Sequence, residues 1–136
     1  MRTYARLKVA AESYAVPIAN VVEIASLGDL TQVPGSRREI LGVRNLRGQI
    51  LPVIDLALLL GLSSAAAPKQ LLVIEAGGVK GSFAIDEVND VGELPDPTEE
   101  AKPGFLLGAM FSAGELIGVI DVPAIFGSLQ RRRSDD

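Results

Sequence analysis

Residues 42–62 read GVRNLRGQILPVIDLALLLGL and decide the fold, because residues 108–128 repeat them. The two segments share six of 21 aligned residues without a gap, including three glycines and the triplet Val-Ile-Asp. A shift of 67 residues also aligns Ile18 with Ile85 and Thr31 with Thr98. Two copies with so long a period indicate two related small units rather than a solenoid.

The repeat divides the chain into two halves, residues 1–66 and 67–136. Each half is marginal as a folding unit alone, since so short a segment buries too little surface. We therefore expect one domain over residues 1–136, built from a first β-barrel half and a second β-barrel half. The two halves could exchange strands.

Short runs rich in Leu, Ile and Val, separated by glycine and proline, predict a mainly β chain. The predicted strands are Thr3–Ala10, Ser13–Val16, Val22–Ser26, Gly42–Arg47, Gln49–Ile54, Gln70–Glu75, Val79–Ile85, Val91–Leu94, Leu106–Ser112 and Glu115–Ile120. Glycine turns after Ala76 and Ala113 predict hairpins, because glycine adopts positive φ at little cost. The predicted short helices are Ile18–Val22, Arg37–Leu41, Leu56–Leu60 and Val122–Leu129.

Composition excludes several classes of protein. Hydrophobic residues make up 48% of the 136 residues and charged residues 22%, which excludes disorder of the whole chain. The net charge of −4 lacks the basic field of a general nucleic-acid binder. Cysteine and histidine are absent, which removes disulfides, the Ser-His-Asp triad and nearly all zinc sites. We expect no metal and no cofactor.

The sequence also bears on location. The longest apolar run, near Ile50–Leu62, is broken by Pro52 and Asp55 and is too short to cross a membrane. The first six residues lack the apolar stretch of a signal peptide. We therefore expect a cytoplasmic protein without direct membrane insertion.

Three aspartates, Asp55, Asp86 and Asp121, each follow an apolar strand. A pair of them in one cleft could perform acid–base catalysis, which is the hypothesis of a carboxylate-based enzyme. The competing interpretation is that each caps a helix by accepting backbone N–H bonds. Pro123 directly after Asp121 and Val122 favours capping there, because proline is tolerated in a first helical turn.

Four arginines cluster in the first half, at Arg37, Arg38, Arg44 and Arg47. A nucleic-acid-binding barrel could use such a cluster, but it would also need aromatic platforms. No aromatic residue lies in the 63 positions from 17 to 79. A solvated strand face, or an internal ion pair with an acidic residue, is the alternative to a protein contact.

The repeat indicates which arginines serve a partner. Arg44 and Arg47 align with Met110 and Ala113, whereas the framework glycines recur in both copies. Residues that hold the fold should recur, so residues present in one copy are candidates for a contact. Arginine suits this role, because its planar fork pairs bidentately. We predict contacts at Arg44, Arg47 and the adjoining Gly48.

Three groups of motifs run along the chain. They are Tyr14-Ala15-Val16-Pro17-Ile18 with Val21-Val22-Glu23-Ile24, then Asn45-Leu46-Arg47-Gly48 followed by Pro52-Val53-Ile54-Asp55-Leu56, and Phe83-x-Ile85-Asp86-x-Val88-x-Asp90-Val91. Over nearly the whole chain these motifs resemble the chemotaxis coupling-protein family, CheW. The resemblance implies two intertwined five-stranded β-barrels of SH3-like type on a common core, related by internal duplication, with short helices.

The resemblance also implies a function. It implies a non-enzymatic adaptor between the cytoplasmic tip of methyl-accepting chemoreceptors and the regulatory domain of a histidine kinase, recruited to membrane receptor arrays. By position it implies receptor contacts at Val21, Glu23, Gly42, Asn45 and Arg47 and assigns no residue to the kinase. An adaptor of a non-flagellar pathway, for example pilus motility, is the alternative.

Overall fold

Strands carry most of the chain. The structure, a computed structural model, describes residues 1–63, 67–98 and 104–134, with side chains up to residue 130. The strands in these residues are β1 (Arg2–Val9), β2 (Glu12–Pro17), β3 (Val21–Ser26), β4 (Ile40–Leu46), β5 (Gln49–Asp55), β6 (Gln70–Ala76), β7 (Val79–Ile85), β8 (Glu87–Leu94), β9 (Leu106–Ser112) and β10 (Glu115–Ile120). The helices are a 3-10 turn at Ile18–Asn20, α1 (Leu56–Leu59) and α2 (Val122–Ser134).

The strands form two five-stranded sheets with the same internal order. One sheet is ordered β8-β1-β2-β10-β9 and the other β3-β6-β7-β5-β4. The repeat matches strands β1 to β5 with strands β6 to β10, in that order. Replacing each strand by its counterpart converts one sheet order into the other. The first two strands of each half lie in the sheet that holds the last three strands of the other half. The predicted mainly β fold is confirmed, and each of the two sheets takes strands from both halves of the chain.

Each exchanged pair of strands joins the other half at a parallel contact. β5 runs parallel to β7 with Val53 opposite Ser82, and β10 runs parallel to β2 with Val119 opposite Ala15. All four residues are fully buried. The Ser82 hydroxyl donates to the backbone oxygen of Pro52 at 2.9 Å, so its burial leaves no unpaired donor. The two halves of the chain are therefore joined inside each sheet by a buried parallel contact.

A hydrophobic core lies between the two sheets and draws on both. Phe83 on β7 is its largest fully buried side chain, and α2 closes the core with Ile125 and Phe126. Alternation along the strands places every second side chain in this core. Its buried members are Leu7, Val9, Val16, Ile54, Leu56, Leu72, Ile74, Phe83, Ile85, Ile120, Val122, Ile125 and Phe126.

One predicted helix is wrong. Residues 37–41 do not form a helix, because Ile40 begins β4 and pairs with Ile54 on β5. The Ile40 N–H donates to the Arg37 oxygen at 3.0 Å, which closes a turn before the strand. Pairing with a distant strand overrides the local preference here. The other three helices begin at the predicted residues, and none in the described part of the chain is long and apolar enough to span a membrane.

Candidate functional site

Arg47 and Gly48 form the two-residue turn between β4 and β5. Their φ angles are 54° and 81°, and those of Ala113 and Gly114 in the matching turn are 51° and 76°. Two successive positive φ angles define a type I′ hairpin turn, whose twist fits the flanking strands. Arg47 accepts a strain of about 1 kcal/mol that glycine would avoid. Because Ala113 adopts the same conformation, the turn does not depend on an arginine side chain.

Arg47 forms an ion pair with Glu23 across the open edges of one sheet. Its Nη1 lies 2.9 Å from Glu23 Oε1 and 2.8 Å from Oε2, which links the β4–β5 turn to β3. The Arg47 side chain is 77% exposed and that of Glu23 is 25% exposed. A pair this exposed adds at most about 1 kcal/mol to stability. Most of the guanidinium therefore remains available to a partner.

The turn is completed by Asn45. Its Oδ1 accepts the Gly48 N–H at 3.1 Å, which holds the amide side chain against the turn. Ile50 lies opposite Asn45 in the hairpin and is 59% exposed. We call Glu23, Asn45, Arg47, Gly48 and Ile50 the turn surface. It holds four of the seven residues predicted to contact a receptor, and Ile50 was not among them.

Arg44 does not point away from the protein with Arg47. Its Nε donates to the Leu27 oxygen at 3.1 Å and its Nη1 to the Asn45 oxygen at 2.8 Å. A Cβ placed on Gly28 would lie 2.8 Å from the Arg44 Cζ, so the guanidinium covers that glycine. Arg44 therefore holds the loop between β3 and β4. A partner contact at Arg44, expected because it occurs in one copy only, stays a prediction.

Gly42 and Val21 lie on β4 and β3, the two strands that also carry Asn45 and Glu23 of the turn surface. Gly42 is buried, and a Cβ there would lie 2.6 Å from the Thr31 oxygen, so its position in the fold has a structural reason of its own; a receptor contact at Gly42 stays a prediction. Only glycine, which has a hydrogen in place of Cβ, leaves room for the Thr31 backbone at this distance. Val21 is half-buried and packs on the core between the sheets.

Sequence reasoning missed the exposed apolar residues of β3. Val22 and Ile24 are 45% and 46% exposed, and they alternate with the half-buried Val21, Glu23 and Ala25. Only the observed burial of β3 alternates with a period of two; the sequence Val-Val-Glu-Ile-Ala-Ser does not alternate between apolar and polar residues, so it held no signal that could have identified them. They add an apolar strip to the edge strand that carries Glu23.

The matching region of the second half has different chemistry. Met110, the counterpart of Arg44, is 5% exposed and belongs to the interior of its sheet. Phe111, the counterpart of Asn45, is 71% exposed. Asp90, the counterpart of Glu23, pairs with Arg6 at 3.7 Å and not with the turn. The two halves therefore share a backbone frame but present different side chains.

Glu115, beside the second turn, is part of a polar network. Its Oε1 lies 2.8 Å from Lys8 Nζ and also accepts a hydrogen bond from the Ser13 hydroxyl. The hydrogen bond from Lys8, which has the larger effect, and the one from Ser13 hold the pKa of the Glu115 carboxyl below its usual range. The network fastens the β1–β2 hairpin to the start of β10.

Two of the three aspartates are at helix N-termini. Asp55 Oδ1 accepts the Leu58 N–H at 3.2 Å and Asp121 Oδ1 accepts the Ala124 N–H at 3.0 Å. Asp86 was predicted as a third cap, but β8 follows it, and its Oδ2 accepts the Ala11 N–H at 3.1 Å. Asp55 and Asp86 share a small cavity of about 170 Å³. Each carboxylate there already accepts a backbone N–H.

Removing either cap should destabilise the protein measurably. We expect Asp55→Ala and Asp121→Ala each to lower the free energy of unfolding by about 1 kcal/mol, because a helix N–H loses its acceptor. Urea denaturation followed by circular dichroism measures the change. Asp55→Asn and Asp121→Asn are matched controls that keep an acceptor oxygen. Equal losses in the alanine and asparagine variants would show that capping is not the cause.

Comparison with known proteins identifies the family. A family model described as the CheW-like domain matches residues 3–130. The chain belongs to the CheW-like domain family. The chemotaxis protein CheW of Rhizobium meliloti (strain 1021) is 29% identical over 135 residues, which is 91% of this chain and 86% of that protein. Protein FrzA of Myxococcus xanthus is 35% identical over 108 residues, which is 77% of this chain and 65% of FrzA.

Two further comparisons extend this result. The crystal structure of the scaffolding protein TtCheW from Thermoanaerobacter tengcongensis matches with a TM-score of 0.80 and 25% identity, over 89% of this chain and 84% of that one. Protein PilI of Pseudomonas aeruginosa is 33% identical over 87 residues, but the match spans 49% of PilI. CheW-family proteins are scaffold adaptors, so this CheW-like domain is an adaptor and not an enzyme.

Proposed function

We propose that this CheW-like domain couples the cytoplasmic tip of methyl-accepting chemoreceptors to the regulatory domain of a histidine kinase. In this proposal the protein is cytoplasmic and is recruited to receptor arrays at the membrane. Family membership and the match to chemotaxis protein CheW over most of both chains support it. An adaptor of a non-flagellar pathway is the second candidate, because relatives named FrzA and PilI match as well.

The turn surface is the proposed receptor contact. The observation that carries this proposal is the exposed Arg47, which occupies a strained position in a turn that Ala113 forms equally well in the other half. Because alanine occupies the same conformation in the matching turn, the fold does not account for an arginine at this position, and this supports a role in binding. Glu23 orients the guanidinium, and Ile50 adds exposed apolar area beside it. Arginine next to apolar surface is a common centre of protein contacts.

We expect the receptor contact to be small and reversible. Transient signalling contacts commonly bury about 1,200 Å² or less and have dissociation constants in the micromolar range. In a receptor array, many such contacts act together, and the effective concentration raises their combined strength. The proposal therefore requires a weak contact in solution and stronger retention on clustered receptors.

Arg47→Ala tests the proposed receptor contact. We expect the melting temperature to stay within a few degrees, because alanine already occupies the matching turn and the ion pair is exposed. We expect affinity for a receptor tip to fall about tenfold or more, since truncating a central arginine costs upwards of about 1 kcal/mol. Titration calorimetry with a receptor cytoplasmic fragment measures the affinity. Unchanged binding, or an unfolded variant, would contradict the proposal.

Two controls separate binding from folding. Arg38→Ala removes an exposed arginine that lies outside the turn surface and should leave receptor affinity unchanged. The double variant Glu23→Arg with Arg47→Glu restores an ion pair with its charges exchanged. It should fold normally and still bind receptor poorly. Recovery of binding in the double variant would show that Arg47 acts only within the fold.

A further inference from the structure

The turn surface lies across the two edge strands of one sheet. That sheet is ordered β3-β6-β7-β5-β4, so β3 and β4 are its edges, and no backbone ladder joins these two strands within the described residues. Glu23 belongs to β3, whereas Asn45 belongs to β4 and Arg47 to the turn that follows β4. The arrangement of the turn surface therefore depends on the contacts that hold β3 and β4 side by side.

Two arginine side chains make such contacts. Arg47 forms its ion pair with Glu23 at the turn. Arg44 joins the end of β3 to β4: its Nε donates to the oxygen of Leu27, the residue directly after β3, at 3.1 Å, and its Nη1 donates to the Asn45 oxygen at 2.8 Å. One guanidinium therefore ties the exit from β3 to the strand that carries Asn45.

The surroundings of Arg44 favour a structural link over a free side chain. Arg44 is half-buried, whereas the Arg47 side chain is 77% exposed. An ion pair as exposed as that of Arg47 contributes little to holding two strands together. Gly28 leaves room for the Arg44 guanidinium, because a Cβ there would lie 2.6 Å from Nε and 2.8 Å from Cζ. Met110, the counterpart of Arg44, has no side-chain N–H and is buried in the interior of its sheet, so this link is specific to the first half.

We propose that Arg44 is a positioning residue for the turn surface. By tying the end of β3 to β4, it fixes the distance over which Arg47 meets Glu23 and keeps the turn surface in the arrangement that binds. A surface held in its binding arrangement loses less conformational freedom on binding and therefore binds more tightly. The expected effect on affinity rests on the proposed receptor contact, whereas the effect on the turn itself does not require a receptor.

Gly28→Ala tests this inference without removing the guanidinium, because the added Cβ would displace the Arg44 side chain. Arg44→Met removes the guanidinium and keeps a long apolar side chain. Gly35→Ala is the matched control: Gly35 lies in the same loop at a φ of 78°, against 64° for Gly28, but has open space around it. This control adds the same kind of backbone strain and leaves Arg44 in place.

Nuclear magnetic resonance relaxation of the full chain measures the turn directly. We expect the order parameters of the Arg47 and Gly48 amides to fall from about 0.85 to about 0.6 or less in Gly28→Ala and Arg44→Met, and to stay at about 0.85 in Gly35→Ala. Unchanged order parameters in either test variant, or an equal fall in Gly35→Ala, would overturn the inference. Gly28→Ala alone keeps the test decisive if Arg44→Met does not fold.

Titration calorimetry with a chemoreceptor cytoplasmic fragment then measures binding. We expect Gly28→Ala and Arg44→Met each to lower affinity about fivefold, and the double variant no further than either alone, because both break one link. A loss in Arg44→Met without one in Gly28→Ala would show a direct receptor contact of Arg44 and would overturn the positioning role. If the order parameters fall as expected while these variants and Arg47→Ala all bind as tightly as the unchanged protein, the proposed receptor contact fails and the positioning of the turn by Arg44 stands.

Discussion

Gly42→Ala is expected to lower the free energy of unfolding by about 3 kcal/mol or more. The φ angle of Gly42 is 155° and that of its counterpart Gly108 is 152°, a region that residues with a side chain rarely occupy. A Cβ on Gly42 would lie 2.6 Å from the Thr31 oxygen, and one on Gly108 would lie 2.3 Å from the Thr98 oxygen. Gly108→Ala should therefore be at least as damaging.

The opposing backbone cannot move away at either glycine. The N–H of Thr31 donates to the Val43 oxygen at 2.9 Å, and the Val43 N–H returns a bond to the Thr31 oxygen at 2.8 Å. Thr98 and Ala109 make the same reciprocal pair at 2.9 and 3.2 Å. A methyl group at the glycine would separate this pair and leave backbone groups unpaired, which adds to the strain.

Two other glycines serve as graded controls. Gly35 has a φ of 78° but open space around it, so Gly35→Ala introduces strain alone and should cost about 1 kcal/mol. Gly92 has neither a positive φ nor a close neighbour, so Gly92→Ala should be nearly neutral. Urea denaturation of the four variants measures the order. A Gly42→Ala variant as stable as Gly92→Ala would contradict the steric argument.

Local features of the fold were predictable from the sequence. The predicted strand at Leu106–Ser112 has the observed bounds, because a short apolar run between turn residues indicates a strand from local sequence alone. The turn at Ala113 and Gly114 was predicted for the same reason. The alignment of Gly42 with Gly108 identified two positions with the same structural role. At each of them the backbone oxygen of a threonine lies too close to leave room for a Cβ.

Features that depend on distant pairing were not predictable from the strand patterns, and the exchange of strands stood as an open possibility and as an implication of the family resemblance. β1 and β6 each lie in a sheet with three strands of the other half of the chain. The residue pattern along a strand shows which side chains face the core but not which other strands it pairs with. Arg44 was predicted to face a partner because it occurs in one copy only. A residue can also occur once because one loop needs it, as the bond from Arg44 to Leu27 shows.

The exchange of strands between the halves predicts that the two sheets unfold together. Phe83 is fully buried in the core that both sheets share, and its strand β7 lies between β6 and β5. Phe83→Ala leaves a cavity there and should lower the free energy of unfolding by about 3–5 kcal/mol. Hydrogen exchange of backbone amides measures the effect in each sheet separately.

We expect Phe83→Ala to speed amide exchange in β1 and β2 as much as in β6 and β7, although β1 and β2 belong to the other sheet. The core around Phe83 contains buried residues of both sheets, so we expect a loss of stability there to reach both of them. Phe111→Ala is the matched control: the same substitution at a side chain that is 71% exposed should change stability by less than about 0.5 kcal/mol. If exchange accelerated only in β6 and β7, the sheets would be independent folding units, and the exchanged strands would not couple them.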